Sequence, residues 1–112
     1  MEMDWRFRGL RIFTNDLDTS KSFYMALFGI RAKEQHEDWI SFDFSGQELV
    51  LHYSPVKISG GGIELMLGTR DFGDVVGRLK SLGIEYDSFR YEGKNILRMM
   101  DPDENIIVFE EE

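Results

Sequence analysis

The sequence predicts an α+β domain built from two tandem βαβββ modules that meet around a shared cleft. Three observations lead there. An ordered set of signals, namely strand, capped helix, Gly-Ile and hairpin, occurs twice along the chain. The two helix segments are nearly equal in length, since Asp16 to Gly29 spans 13 positions and Asp71 to Gly83 spans 12. A glycine-rich joint lies between the copies. A whole ordered set recurring outweighs any single-element assignment.

Phe7 to Thr14 alternates as a strand, with Phe7, Gly9, Arg11 and Phe13 on one face and Arg8, Leu10, Ile12 and Thr14 on the other. Asn15 to Asp18 is a turn and cap cluster in which Asp16 or Asp18 can receive the first helical amides. The helix is expected over about Thr19 to Phe28, with Phe23, Tyr24, Leu27 and Phe28 forming one stripe. Gly29 suits the left-handed position that ends it. Ile30 and Ala32 open an extended stretch, broken at His36-Glu37-Asp38. Trp39–Phe44 and Glu48–Tyr53 form a hairpin about Ser45-Gly46-Gln47.

Residues 54–62 hold a proline and three consecutive glycines and read as the joint. Module one is placed at about 6–54, the linker at 55–62 and module two at 63–110. The second module repeats the signals. Ile63–Gly68 is a strand, Asp71 caps a helix whose stripe is Phe72, Val75, Val76 and Leu79, and Gly83-Ile84 closes it. Asn95–Met100 and Ile106–Glu110 are strands joined by Asp101-Pro102-Asp103-Glu104-Asn105.

Composition limits the function classes. A chain of 112 residues is one small domain, and nine Phe, four Tyr and two Trp can furnish its core. No cysteine is present, which removes disulfides, thiolate metal sites and a cysteine nucleophile. The net charge of -8 opposes binding to nucleic-acid backbones or anionic membranes. No apolar run approaches the roughly 18 residues of a membrane span, and the charged N-terminus lacks a signal core, so a cytoplasmic location is expected.

Asn15-Asp16-Leu17-Asp18-Thr19-Ser20-Lys21-Ser22-Phe23-Tyr24, followed by Leu27-Phe28-Gly29-Ile30, resembles the first-helix signature of the vicinal oxygen chelate superfamily. That superfamily contains glyoxalase I, bleomycin-resistance proteins, fosfomycin-resistance enzymes and extradiol dioxygenases. Asp101 to Asn105 resembles its Asp-Pro-Asp-Gly-Asn turn, with Glu104 in the glycine place. The resemblance covers nearly the whole chain and implies the glyoxalase/bleomycin-resistance/dioxygenase fold, a curved mixed sheet around a cleft. It leaves the activity open, because one fold hosts many reactions.

The resemblance also implies four places for the ligands of a divalent metal, one on the first and one on the last strand of each module. Counting from the cap aspartates puts these at Gly9, at or near His52, at Glu64 and at Val108. Gly9 and Val108 offer no donor. Two donors hold a catalytic ion poorly, so no metal cofactor is expected. A divalent ion on His52 and Glu64 is the alternative. The superfamily's bleomycin-resistance branch, closest in character to this chain, binds its ligand without a catalytic metal.

Strand alternation gathers Arg11, Phe13, Val50, His52, Glu64, Met66 and Val108 on the face of those positions, with Trp39 and Arg98 joining from the hairpins. This mixture of apolar walls and a few charges suits a small-molecule site. Arg11 and Glu64 are candidates to pair with each other. The first functional expectation is therefore a binding protein for a small organic molecule. The second is a lyase or isomerase of the lactoylglutathione lyase type, using His52 and Glu64 either as surviving metal ligands or as acid and base. The third is a protein-interaction subunit with a vestigial cleft. A homodimer is expected from the resemblance and from the need to cover open sheet edges.

Overall fold

The computed structural model describes residues 4–57 and 64–112. Most of the expected linker, and Ile63 at the start of an expected strand, lie outside them. The chain divides into two units, Met1–Ile58 and Ser59–Glu112. The first unit runs β1 (Gly9–Thr14), α1 (Leu17–Phe28), β2 (Glu34–Gln35), β3 (Trp39–Phe44) and β4 (Gln47–Tyr53). The second runs β5 (Glu64–Thr69), α2 (Phe72–Leu82), β6 (Asp87–Tyr91), β7 (Lys94–Met100) and β8 (Ile106–Glu111). Each unit is thus βαβββ.

The sheets have matching topology, β1-β4-β3-β2 and β5-β8-β7-β6. The first strand lies parallel to the last, and the hairpins are antiparallel. Gly9 stands opposite Glu48 in one unit, and Glu64 opposite Ile106 in the other. A parallel pair needs a long crossover, which each helix supplies.

The helix ends are built alike. The Asp16 carboxylate accepts from Thr19 N at 3.0 Å, and Asp71 accepts from Asp74 N at 3.0 Å. Asp16 is thus the cap and Asp18 falls within the first turn. Thr14 Oγ1 and Thr69 Oγ1 accept from the amides of those aspartates at 3.2 and 3.1 Å. Gly29 and Gly83 end the helices at φ 66° and 70°. Both hairpins turn on two residues of positive φ, Ser45-Gly46 and Glu92-Gly93, the twist that matches right-handed strands.

In the first unit Tyr24 and Leu27 of α1 are buried over Ile12, Leu49, Leu51, Ile40 and Phe42. Phe28 meets Phe44 edge-on at 5.0 Å and Phe42 at 6.1 Å. In the second unit α2 buries Leu79 alone, over a sheet face of Leu97, Met99, Ile107 and Phe109.

Three expectations change. β6 was not foreseen as a strand, because all five of its residues are exposed and leave no alternation to read. The stretch from Ile30 pairs only at Glu34 and Gln35. β1 starts at Gly9, not Phe7, because Gly9 takes φ 148° and breaks the strand's alternation there.

Candidate functional site

The sheet of the first unit shows α1 one face and leaves the other open. Ile12, Leu49, Leu51, Ile40 and Phe42 line the helix side, so the intervening residues point away. Pairing orders these outward residues into rows. Phe13, His52 and Trp39 form one row, Arg11, Val50, Ser41 and Glu34 the next, and Gly9, Glu48 and Asp43 the third. A depression of about 510 Å³ over them is lined by Arg8, Arg11, Glu34, Trp39, Val50 and His52, among others.

The aromatic row is held from several sides. The rings of Phe13 and His52 lie 5.7 Å apart. Trp39 stacks on His36 at 3.9 Å with planes 19° apart, and His36 N donates to the Trp39 carbonyl at 2.8 Å. His52 Nε2 is 3.8 Å from the Asp38 carboxylate, while its Nδ1 is buried with no hydrogen-bond partner. Ser41 Oγ, on the same face, is also buried and unpaired. Two such groups on one open face are a functional signal, since buried polar atoms are nearly always satisfied.

The charges differ in how far they are engaged. Glu48 accepts from Lys33 Nζ at 2.8 Å, and that contact raises the Lys33 pKa. Arg8 and Arg11 are exposed, and no described carboxylate pairs with either. The alternation read from sequence put Arg8 on the opposite face from Arg11. The structure brings both to the depression, because the positive φ of Gly9 turns the chain between them. Glu34 was not among the expected site residues, although it lies in the stretch expected to be extended; its pairing with Ser41 brings it to this face. A glycine inside a strand pattern was the available warning.

The corresponding face of the second unit has a different character. Glu64, Met66, Val108 and Arg98 lie on it, and Arg98 stands opposite Val108. Glu64 Oε1 is 3.5 Å from Arg98 Nη2, so its carboxylate has a partner within its own unit. Met66 is 77% exposed. A depression of about 910 Å³ in this unit is lined by Ile84, Arg98, Met100 and Ile106, among others. Its guanidinium is already matched by Glu64, whereas the two arginines at the smaller depression of the first unit are not matched by a described carboxylate.

The positions marked for a divalent metal do not fit one. A β-carbon on Gly9 would overlap the Glu48 carbonyl oxygen, so the backbone itself forbids a donor there. Val108 is hydrocarbon, and Glu64 faces a guanidinium. Because Gly9 and Glu64 correspond, register pairs Val108 with Val50 and His52 with Glu110, so His52 and Val108 are not equivalent positions. No group of three or more His, Asp or Glu side chains able to hold an ion occurs among the described residues.

The family model for the Glyoxalase/Bleomycin resistance protein/Dioxygenase superfamily matches residues 6–109. A glyoxalase/bleomycin resistance protein/dioxygenase from Alicyclobacillus acidocaldarius is 27% identical, with TM-score 0.76 over 99% of this chain and 94% of that one. A lactoylglutathione lyase from Agrobacterium tumefaciens is 17% identical, with TM-score 0.79 over 95% and 92%. A putative glyoxalase family protein from Bacillus anthracis is 14% identical, with TM-score 0.84 over 99% and 98%. No curated protein sequence matches the chain. Among the described residues no helix is long and apolar enough to cross a membrane.

Proposed function

The chain belongs to the glyoxalase/bleomycin resistance protein/dioxygenase superfamily, and on that premise we propose that it binds a small organic molecule on the open face of its first unit, without a resident catalytic metal. One observation carries the reading. Trp39 and His52, two rings of the aromatic row, line a depression together with Arg8 and Arg11, whose guanidiniums pair with no carboxylate among the described residues. Apolar walls with a few uncompensated polar groups are what a ligand site needs. Arg11, Phe13, Trp39, Val50 and His52 are the contact residues on this reading. Glu64, Met66, Arg98 and Val108 line the matching face of the second unit.

The metal-free part rests on the donor set, which Gly9 and Val108 leave short. Elemental analysis of protein purified without chelator tests it, and one tightly held divalent ion per chain would overturn it. A thermal-shift screen of small organic acids, amines and neutral compounds tests the binding claim. At least one class should raise Tm in the parent and not in Trp39→Ala.

A second reading, a lyase of the glyoxalase type, draws on His52. An imidazole whose Nε2 faces a carboxylate is oriented as acid–base residues are. Turnover of a glutathione hemithioacetal, abolished by His52→Gln, would favour it. A homodimer and a cytoplasmic location complete the proposal, and light scattering at working concentration checks the first.

A further inference from the structure

We propose that the ligand of the first unit is an aryl-substituted carboxylate, its ring on the Phe13–His52–Trp39 row and its carboxylate on Arg11 and Arg8. This rests on the small-molecule reading above and names the chemical class that site would take.

The argument begins with charge. The chain carries -8, yet one end of the depression presents two guanidiniums that no described carboxylate neutralises. The acidic groups on the same face are accounted for. Glu48 is bound to Lys33 at 2.8 Å, and Asp43 beside it accepts from Gly46 N at 3.2 Å. Glu34 sits on β2, at the opposite end of the β1-β4-β3-β2 order from Arg11. Asp38 lies beside His52, beyond the aromatic row. The arginines at β1 are therefore separated from the free carboxylate of Glu34 by β4 and β3. Arginine's planar fork matches a carboxylate with two parallel hydrogen bonds.

The second part is spacing. Arg11 and Phe13 are two residues apart on one strand, as Val50 and His52 are on the next, so the guanidinium row and the ring row are about 7 Å apart. Val50 lies beside Arg11 in the same row and gives the face an apolar floor there. That layout fits a flat ring joined to its acid by a short alkyl arm. Trp39 is braced from behind by His36 at 3.9 Å, so the ring platform is already in place before a ligand arrives.

The second unit argues the same way by contrast. At the place of Arg11 it has Met66, at that of Phe13 it has Gly68, and at that of Trp39 it has Ile96. Its own Arg98 is matched by Glu64. Among the described residues, the matching rows of the second unit therefore lack both the free cation and the ring platform.

Isothermal titration with 3-phenylpropionate, 3-phenylpropanamide and 2-phenylethylamine on the full chain tests the class. The acid should bind at least tenfold more tightly than the amide, and the amine more weakly still. Arg11→Ala should cost the acid about tenfold or more and leave the amide unchanged, with Arg11→Lys recovering part of the loss. Trp39→Ala should weaken acid and amide together. Arg90→Ala, an equal change of charge in the second unit, should leave both unchanged. Equal binding of acid and amide, or stronger binding of the amine, would overturn the carboxylate assignment while keeping the small-molecule reading. No binding of any of the three would remove both. Arg11 is exposed, so its variants should fold, and an unchanged Tm checks that they do.

Discussion

The two units share one face and differ on the other. On the helix side, register equates Ile12 with Leu67, Leu49 with Ile107, Leu51 with Phe109, Ile40 with Leu97 and Phe42 with Met99. Every pair is apolar. On the open side it equates Arg11 with Met66, Glu48 with Ile106, Asp43 with Met100, Ser41 with Arg98 and His52 with Glu110. In the first three of these pairs one unit is charged where the other is apolar, and in the last two a serine and a histidine stand where the other unit has a charge. Burial against a helix imposes the same demand twice, so the inner faces agree. No such shared demand acts on the outer faces, and the proposed site lies on one of them.

The sharpest way to break that comparison is at the corresponding pair Gly9 and Glu64. Gly9→Ala should destabilise by about 3 kcal/mol or more in urea titration, since it combines a positive φ with overlap on backbone. Glu64→Ala should cost no more than about 1 kcal/mol, as an exposed ion pair is lost. A neutral Gly9→Ala would mean that the backbone there is free to relax.

The cores come next. Phe42→Ala should cost about 3–5 kcal/mol, because its ring touches Tyr24 and Phe28. Leu79→Ala, at the one buried residue of α2, should cost about 2–3 kcal/mol. Equal losses would show that the second unit is packed as firmly as the first.

The caps give a smaller effect with a pH signature. Asp71→Ala should lose about 1 kcal/mol. Asp16→Ala should lower Tm further, since Asp16 holds both Thr19 N at 3.0 Å and Thr19 Oγ1 at 2.7 Å. The Thr19 amide, and then its hydroxyl, depress the Asp16 pKa below 3.8. The unfolded chain therefore binds the proton more readily. The contribution is complete above the unfolded value and disappears as pH falls through the lower folded one. The Tm difference between parent and Asp16→Ala should shrink accordingly below about pH 4, near the ordinary Asp value. A pH-independent difference would argue against an ionised cap.

The smallest effect is expected at Glu104, whose φ of 67° is left-handed. Glu104→Gly should stabilise by up to about 1 kcal/mol, partly offset by the freedom glycine adds to the unfolded chain.

The repeat, both helices, their caps and the glycines that end them were legible because each depends on local chemistry. The aspartates, the Gly-Ile pairs and the apolar stripes are written in consecutive residues. β6 was not legible, since an exposed strand has no apolar face to write. Arg8 was misplaced because alternation holds only while φ stays negative, and Gly9 breaks it. The partner of Glu64 was not legible either. Arg98 is two strands away, on β7 across β8 and in the adjacent row, a neighbour set by register and not by sequence. Gly9 itself was read as a position lacking a donor. The structure gives the stronger reason that no side chain fits.

That glycine also makes position 9 a one-way step in sequence space. From most positions, a lost side chain can be regained by one substitution. Here every L-residue meets the Glu48 carbonyl before its functional group matters. Regaining a donor would require β4 to shift or bulge in the same generation, and neither change is useful alone. Glu64 carries no such lock, so any later gain of coordination chemistry in this chain, natural or engineered, has its open route through the second unit.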